Sequence, residues 1–243
     1  MELRICYLYP DILNLYGDRG NIICLEKRAA WRGVDVTVQD VSVGETADFT
    51  QFDLFFIGGG QDFEQEVLLA DLNAGKGREI TAAIEDGKVF LTICGGYQIL
   101  GHSYKTWDGH QYDFIGALDL HTVGQKERMI GNYMFACGAD SGGSTVVGFE
   151  NHSGKTYLGG GISPLGTVLA GFGNNGEDKT EGARYKNVCG TYSHGPLLPK
   201  NPRLADFLLQ TALAQKNPAY TLSPLDDTLE ERANGYMQKR LAQ

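Results

Sequence analysis

The chain lacks any apolar run approaching the roughly 20 residues that a membrane-crossing helix needs. Its opening residues, Met1-Glu2-Leu3-Arg4-Ile5-Cys6, enter a strand-like pattern without the apolar core or cleavage site of a signal peptide. A cytoplasmic protein is expected. The sequence also lacks Cys-x-x-Cys, and its five cysteines (Cys6, Cys24, Cys94, Cys137, Cys189) are odd in number and far apart. None pairs with a histidine at zinc-like spacing, so neither a structural metal nor a disulfide framework is expected. Basic charge is scarce: 21 Lys and Arg against 30 Asp and Glu give a net charge of −9. That balance excludes a general nucleic-acid binder, which needs a basic face for phosphates. There is no Gly-x-x-x-x-Gly-Lys-[Ser/Thr], hence no phosphate-binding loop of that type. Internal repeats, low-complexity tracts and domain linkers are absent as well.

What is present suits a well-packed protein. The 243 residues are 42% hydrophobic, enough for one domain spanning 1–243. The first hundred residues alternate strand and helix patterns. Strands are predicted over Leu3–Tyr9, around Val34, Val36 and Val38, over Phe52–Ile57 and over Val89–Ile93. Helices are predicted over Asn21–Arg32 and Arg78–Asp86, stopped by Gly33 and Gly87. Repeated β-α-β of this kind implies an α/β fold, a mostly parallel sheet with helices on both faces. From about Asp113 the texture shifts to short β-rich pieces, Arg128–Phe135 and Thr145–Phe149, with a loop- and hairpin-rich stretch over 138–178. These read as antiparallel additions. Val188–Tyr192 resumes a strand, Asn201-Pro202 reads as the N-cap and first residue of a helix to Gln215, and a charged surface helix covers Asp227–Leu241.

Three glycine-marked strand ends carry the chemistry. In Val89-Phe90-Leu91-Thr92-Ile93-Cys94-Gly95-Gly96-Tyr97-Gln98, a buried strand runs into Cys94, two glycines and a short helix. Such a turn projects one side chain from the carboxyl edge of the sheet, where a helix N-terminus favours the thiolate. A buried cysteine ending a core strand is the commoner arrangement in general; the Gly-Gly and the helix behind it favour a nucleophile. Asp53–Ile57 likewise ends in Gly58-Gly59-Gly60. Attack on an amide carbon needs two N–H donors for the developing oxyanion. Gly95 is one candidate, with Gly59 or Gly60 as the other. Five histidines could serve as base, His102, His110, His121, His152 and His194. Only His194 follows a predicted core strand, on the same edge as Cys94; the other four read as ordinary surface histidines.

Together, Ile57–Gly60, Thr92–Gln98 and Gly190–Gly195 resemble the class I (triad) glutamine amidotransferases, flavodoxin-like in fold, and in particular their cobyric acid synthase-like branch. Gly148–Thr156 is similar to a further segment of that branch. Almost end to end, including Leu13-Asn14-Leu15-Tyr16, Gly20-Asn21-Ile22 and His194–Asn201, the chain resembles the GatD family of small subunits of lipid II isoglutaminyl synthases. The resemblance implies Cys94 as nucleophile, His194 as base, and Arg128 as the residue that binds glutamine. It also implies no cofactor in this chain, and a MurT-like, Mur-ligase-like partner subunit that uses ATP and Mg to amidate the D-glutamate of lipid II. One departure stands out. Many triad enzymes carry glutamate two residues after the histidine, where this chain has Pro196. Another residue of the chain, a Cys-His dyad, or an acidic residue from the partner are the alternatives. The same catalytic residues would also serve a relative supplying ammonia to another acceptor, such as a corrin side chain. A hydrolase or redox protein with the same cysteine turn, or a non-catalytic scaffold, would be separated from these by an assay for ammonia release.

Overall fold

The computed structural model describes residues 1–60 and 64–243. Its first layer is a six-stranded sheet, built from β1 (Glu2–Leu8), β2 (Asp35–Val41), β3 (Leu54–Ile57), β4 (Val89–Ile93), β11 (Ala183–Tyr185) and β12 (Val188–Thr191). The order is β11-β12-β4-β3-β1-β2, parallel except for the β11 hairpin edge. Every residue of β3, β4 and β12 is buried, as strands covered on both faces should be. Phe55 and Phe90 stack across β3 and β4 with ring centroids 4.5 Å apart.

The helices follow from the crossovers. α1 (Arg19–Ala30) joins β1 to β2, while α2 (Glu64–Asp71) and α3 (Gly77–Glu85) join β3 to β4 in the opposite direction along the sheet. Right-handed connections therefore put α1 and α3 on opposite faces. The two directions diverge between β1 and β3, and the crevice at such a reversal, beyond the strands' carboxyl ends, is where open α/β sheets bind ligands. α4 (Gly95–Gln98) is a single turn after β4. α5 (Pro202–Lys216) buries Leu204, Leu208, Leu209, Ala212 and Leu213, with Phe207 only half-buried. α6 (Thr228–Leu241) buries no residue, as its charged sequence predicts. It is tethered by Arg28 of α1, whose guanidinium donates to both carboxylate oxygens of Asp227 at 2.6 and 2.8 Å and to Asp206 at 2.8 Å. No helix among the described residues is long and apolar enough to cross a membrane.

The second layer is more regular than its glycine content suggests. β5 (Ser103–Lys105), β6 (Gln111–Asp113), β7 (Leu120–Cys137), β9 (Gly166–Ala170) and β10 (Thr180–Glu181) form a sheet in the order β10-β9-β7-β5-β6. β8 (Thr145–Leu158) pairs antiparallel with β7. The pieces Arg128–Phe135 and Thr145–Phe149 are thus parts of strands of 18 and 14 residues, and much of the predicted 138–178 loop region is strand. Gly148 and Gly154 mark close approach inside β8 rather than turns. A Cβ at Gly154 would lie 2.6 Å from Gln98 Nε2, and one at Gly148 would strike Ser193. A bridge between Phe149 and His194 joins the two layers at the predicted base.

Candidate active site

Cys94, Gly60, Arg128 and His194 line one cavity of about 550 Å³ at the carboxyl edge of the first sheet, together with Tyr16, Gln98, Asn151 and His152. The residues reach it from separate elements. Cys94 follows β4 directly, and its backbone N–H donates to Thr191 O at 2.8 Å, fastening it to the end of β12. Its φ of 47° and ψ of −106° form a backbone state that side-chain-bearing residues rarely adopt. That conformation turns the side chain out of the strand, leaving Cys94 8% exposed and lining the cavity. Gly96 has no room for a Cβ, which would lie 2.6 Å from Gly58 O, and its N–H donates to the same oxygen at 3.1 Å. The turn behind the cysteine is therefore clamped onto the β3 glycines. The following helix has only four residues, so its macrodipole is small.

His194 is 1% exposed. Its backbone N–H donates to Phe149 O at 2.8 Å, and its ring lies against Gly59, where a Cβ would strike Cε1. Nδ1 faces Asp18, 3.4 Å from Oδ1 and 3.3 Å from Oδ2. Nε2 makes no hydrogen bond of ordinary geometry among the described residues and is left to Cys94. Burial opposes a charge on the ring, but the interactions with Asp18 and Cys94 outweigh it and push the His194 pKa up to about 10. The ring thus sits between the Asp18 carboxyl group and the Cys94 side chain, and both favour its protonated form. Asp18 itself is fully buried, and its Oδ2 accepts the Gly59 N–H at 2.8 Å. Pro196 left three alternatives for a group beside the imidazole; among the described residues of this chain, the carboxylate that faces Nδ1 of His194 is that of Asp18.

This bond also separates the two glycine candidates. The Gly59 amide is committed to Asp18, whereas the Gly60 and Gly95 amides donate to no acceptor among the described residues. Gly60 N lies 3.2 Å from the point where a Gly95 Cβ would stand, so the two glycines adjoin at the turn that carries Cys94.

Arg128 lies within the irregular stretch of β7 between Gly124 and Met129, where the register with β8 shifts. Such irregularities re-aim side chains. Its Nε donates to Asn151 Oδ1 at 2.7 Å and its Nη2 to Asn151 O at 3.0 Å, and Asn151 Nδ2 donates to the Tyr16 hydroxyl. The guanidinium is thus oriented by Asn151, with no carboxylate partner among the described residues.

Of the remaining histidines, His102, His110 and His121 are exposed and away from the cavity. His152 departs from its expected surface position. It is 3% exposed, stacked on Tyr192 at 3.6 Å, and Nδ1 lies 2.8 Å from Gly154 O. It lines the cavity wall, held by the long β8 strand that the sequence patterning shortened. The Asn201 side chain also departs from expectation. It stands at the N-cap of α5 but caps nothing, accepting instead from Val147 N at 2.9 Å and donating to Val147 O at 2.9 Å.

The CobB/CobQ-like glutamine amidotransferase domain matches residues 4–202. The chain is 45% identical over 232 residues to the lipid II isoglutaminyl synthase (glutamine-hydrolyzing) subunit GatD of Staphylococcus aureus, covering 96% of this chain and 93% of that protein. Identity to the subunit of the same name in Streptococcus pneumoniae is 42% over 216 residues, covering 88% of this chain and 82% of that one. A cobyric acid synthase of Clostridium botulinum is 32% identical over 171 residues, which are 66% of this chain but 33% of that protein. Among solved structures, PurLQS from Thermotoga maritima superposes with a TM-score of 0.58 at 15% identity, over 89% of this chain and all (100%) of that one. A glutamine amidotransferase from the same organism gives 0.55 at 16% identity, over 99% and 93%. These two likenesses show the shared fold. By its sequence and the match over residues 4–202, the chain belongs to the CobB/CobQ-like glutamine amidotransferase family.

Proposed function

We propose that the chain is the glutaminase subunit of a lipid II isoglutaminyl synthase, acting in the cytoplasm. Glutamine enters the 550 Å³ cavity with its α-carboxylate on the Arg128 guanidinium, a planar fork suited to two-point binding of a carboxylate. The carboxamide then lies over Cys94. The sulfur forms a bond to the amide carbon, and the carbonyl oxygen takes up negative charge under the Gly60 and Gly95 N–H groups. The imidazolium of His194 gives its Nε2 proton to the leaving nitrogen as the C–N bond breaks, releasing ammonia and leaving a thioester. Neutral His194 then takes a proton from water, whose oxygen attacks the thioester to free glutamate and restore the Cys94-His194 pair.

Ammonia is useful only where a carboxyl group is activated, and activation ordinarily consumes ATP. With no Gly-x-x-x-x-Gly-Lys-[Ser/Thr] loop in the sequence, the acceptor step falls to a second polypeptide. The two relatives of 45% and 42% identity are named as subunits of a lipid II isoglutaminyl synthase, which supports a second subunit, and the family resemblance implies that it is Mur-ligase-like. That subunit would hold ATP and Mg and amidate the D-glutamate of the lipid II stem peptide.

One observation carries the reading: Cys94, in its rare backbone state, Arg128 and the His194 imidazole line one cavity. The test is co-purification with the candidate ligase, followed by assays of glutamine-dependent ammonia release by each protein alone and together. Cys94→Ala should abolish release. It should also abolish labelling by an electrophilic glutamine analogue. Ammonia release by the alanine variant at the wild-type rate would refute the proposal.

A further inference from the structure

Resting on that glutaminase reading, we infer that Asp18 is a positioning residue that locks the base and the oxyanion loop into one arrangement. Its carboxylate has no exposure, and its two oxygens are shared between Nδ1 of His194, at 3.3 to 3.4 Å, and the N–H of Gly59, at 2.8 Å. A buried carboxylate requires such partners. A proton on Nδ1 facing Asp18 leaves Nε2 for Cys94, which is the orientation the proton transfers need. The bond to Gly59 fixes the peptide adjoining Gly60, so the same side chain aims the Gly60 amide at the oxyanion position.

The surrounding backbone is arranged to deliver this group. Asp18 precedes α1, where an aspartate would ordinarily cap the helix, yet its side chain makes no capping bond; the Arg19 N–H goes to Asn14 Oδ1 at 2.9 Å instead. Pro196 packs on Gly20, where a Cβ would lie 2.5 Å from Pro196 Cγ, and the Leu198 N–H donates to Asn21 Oδ1 at 2.9 Å. The segment after His194, which carries glutamate in many triad enzymes, here grips the start of α1 and holds Asp18 against the ring. Around the imidazole stand Asp18, Cys94 and Tyr16, with the Lys200 amine near Gly195.

The experiment compares Asp18→Asn with wild type, alone and with the co-purified ligase subunit. The expected kcat falls at least about a hundredfold, since an amide donor facing Nδ1 selects the wrong tautomer. KM for glutamine stays within about threefold, because Arg128 is untouched. The alkaline limb of the pH–rate profile moves to lower pH, because the ring loses the anion that holds its proton. A variant with wild-type kcat in the complex and an unmoved alkaline limb would overturn the inference and assign the carboxylate to the partner subunit. Should Asp18→Asn not fold, nitrogen NMR of the wild-type chain decides, with His194→Gln assigning the signal. A proton on Nδ1 at pH 8 supports the inference, and a bare Nδ1 overturns it. A wild-type chain inert towards glutamine, alone and in complex, would instead sink the glutaminase reading.

Discussion

The ring of Tyr16 stands edge-on to the imidazole of His194, with centroids 4.9 Å apart, and its hydroxyl accepts a hydrogen bond from Asn151. Asn151 in turn receives both bonds of Arg128. One aromatic side chain therefore touches the base and, through an amide, steadies the group proposed to grip glutamine. Tyr16→Phe keeps the ring contact and loses the tie. KM should rise about three- to tenfold, the worth of one hydrogen bond in a charged network, with kcat near wild type. Steady-state ammonia release checks this; a fall in kcat at constant KM would place Tyr16 in the chemistry instead.

Arg128→Lys retains the charge and removes the fork. The loss of one charge-assisted bond corresponds to a rise in KM of about ten- to a hundredfold, with a smaller change in kcat. Unchanged KM would mean that the α-carboxylate of glutamine is held elsewhere.

Gly59→Ala puts a methyl group onto His194 Cε1 and 3.3 Å from Asp18 Oδ2. The ring must move, and displacement of a catalytic group by about an ångström costs roughly a hundredfold in rate. The expected outcome is a large loss of kcat with cooperative unfolding retained. Full activity would show that the loop shifts while the ring stays in place.

Beneath the site, Glu181 is fully buried; Oε1 accepts from Tyr133, Thr191 and the Tyr192 N–H, while Oε2 has no hydrogen-bond partner among the described residues. Burial, aided by the charge of Glu150, pushes its pKa up to about 7 against the donated hydrogen bonds. The folded protein thus holds this proton more tightly than the unfolded chain, which releases it near 4.5. The associated stability is complete below about pH 4.5 and is lost as pH rises through about 7. Relative to Glu181→Gln, wild type should lose up to about 3 kcal/mol between those limits. Urea unfolding of both at pH 5 and pH 8 measures the difference, and parallel curves would refute the assignment.

The positions of Cys94 and His194 were legible because a parallel sheet places its strand ends on one edge, and hydrophobic runs ending in Gly-Gly or Gly-Pro mark those ends. Asp18 was not legible. An aspartate before a helix reads as a cap, and its actual bonds, to Gly59 and His194, cross 41 and 176 residues of sequence. His152 was hidden for a different reason: glycines at 148 and 154 suggest turns, whereas here they let β8 pass close to Ser193 and Gln98. Arg128 was identified only through family resemblance, because register irregularities in a strand pair leave no mark in composition or periodicity.

The torsion angles at residue 94 carry a last implication. A non-glycine residue held in that region costs about 1 to 3 kcal/mol, and the rest of the molecule must supply the difference. Cys94→Gly would relieve this tension, so the variant should melt at a higher temperature than the functional protein while doing no chemistry. The most robust version of this fold and the version able to cleave an amide are therefore different sequences, separated at a single position.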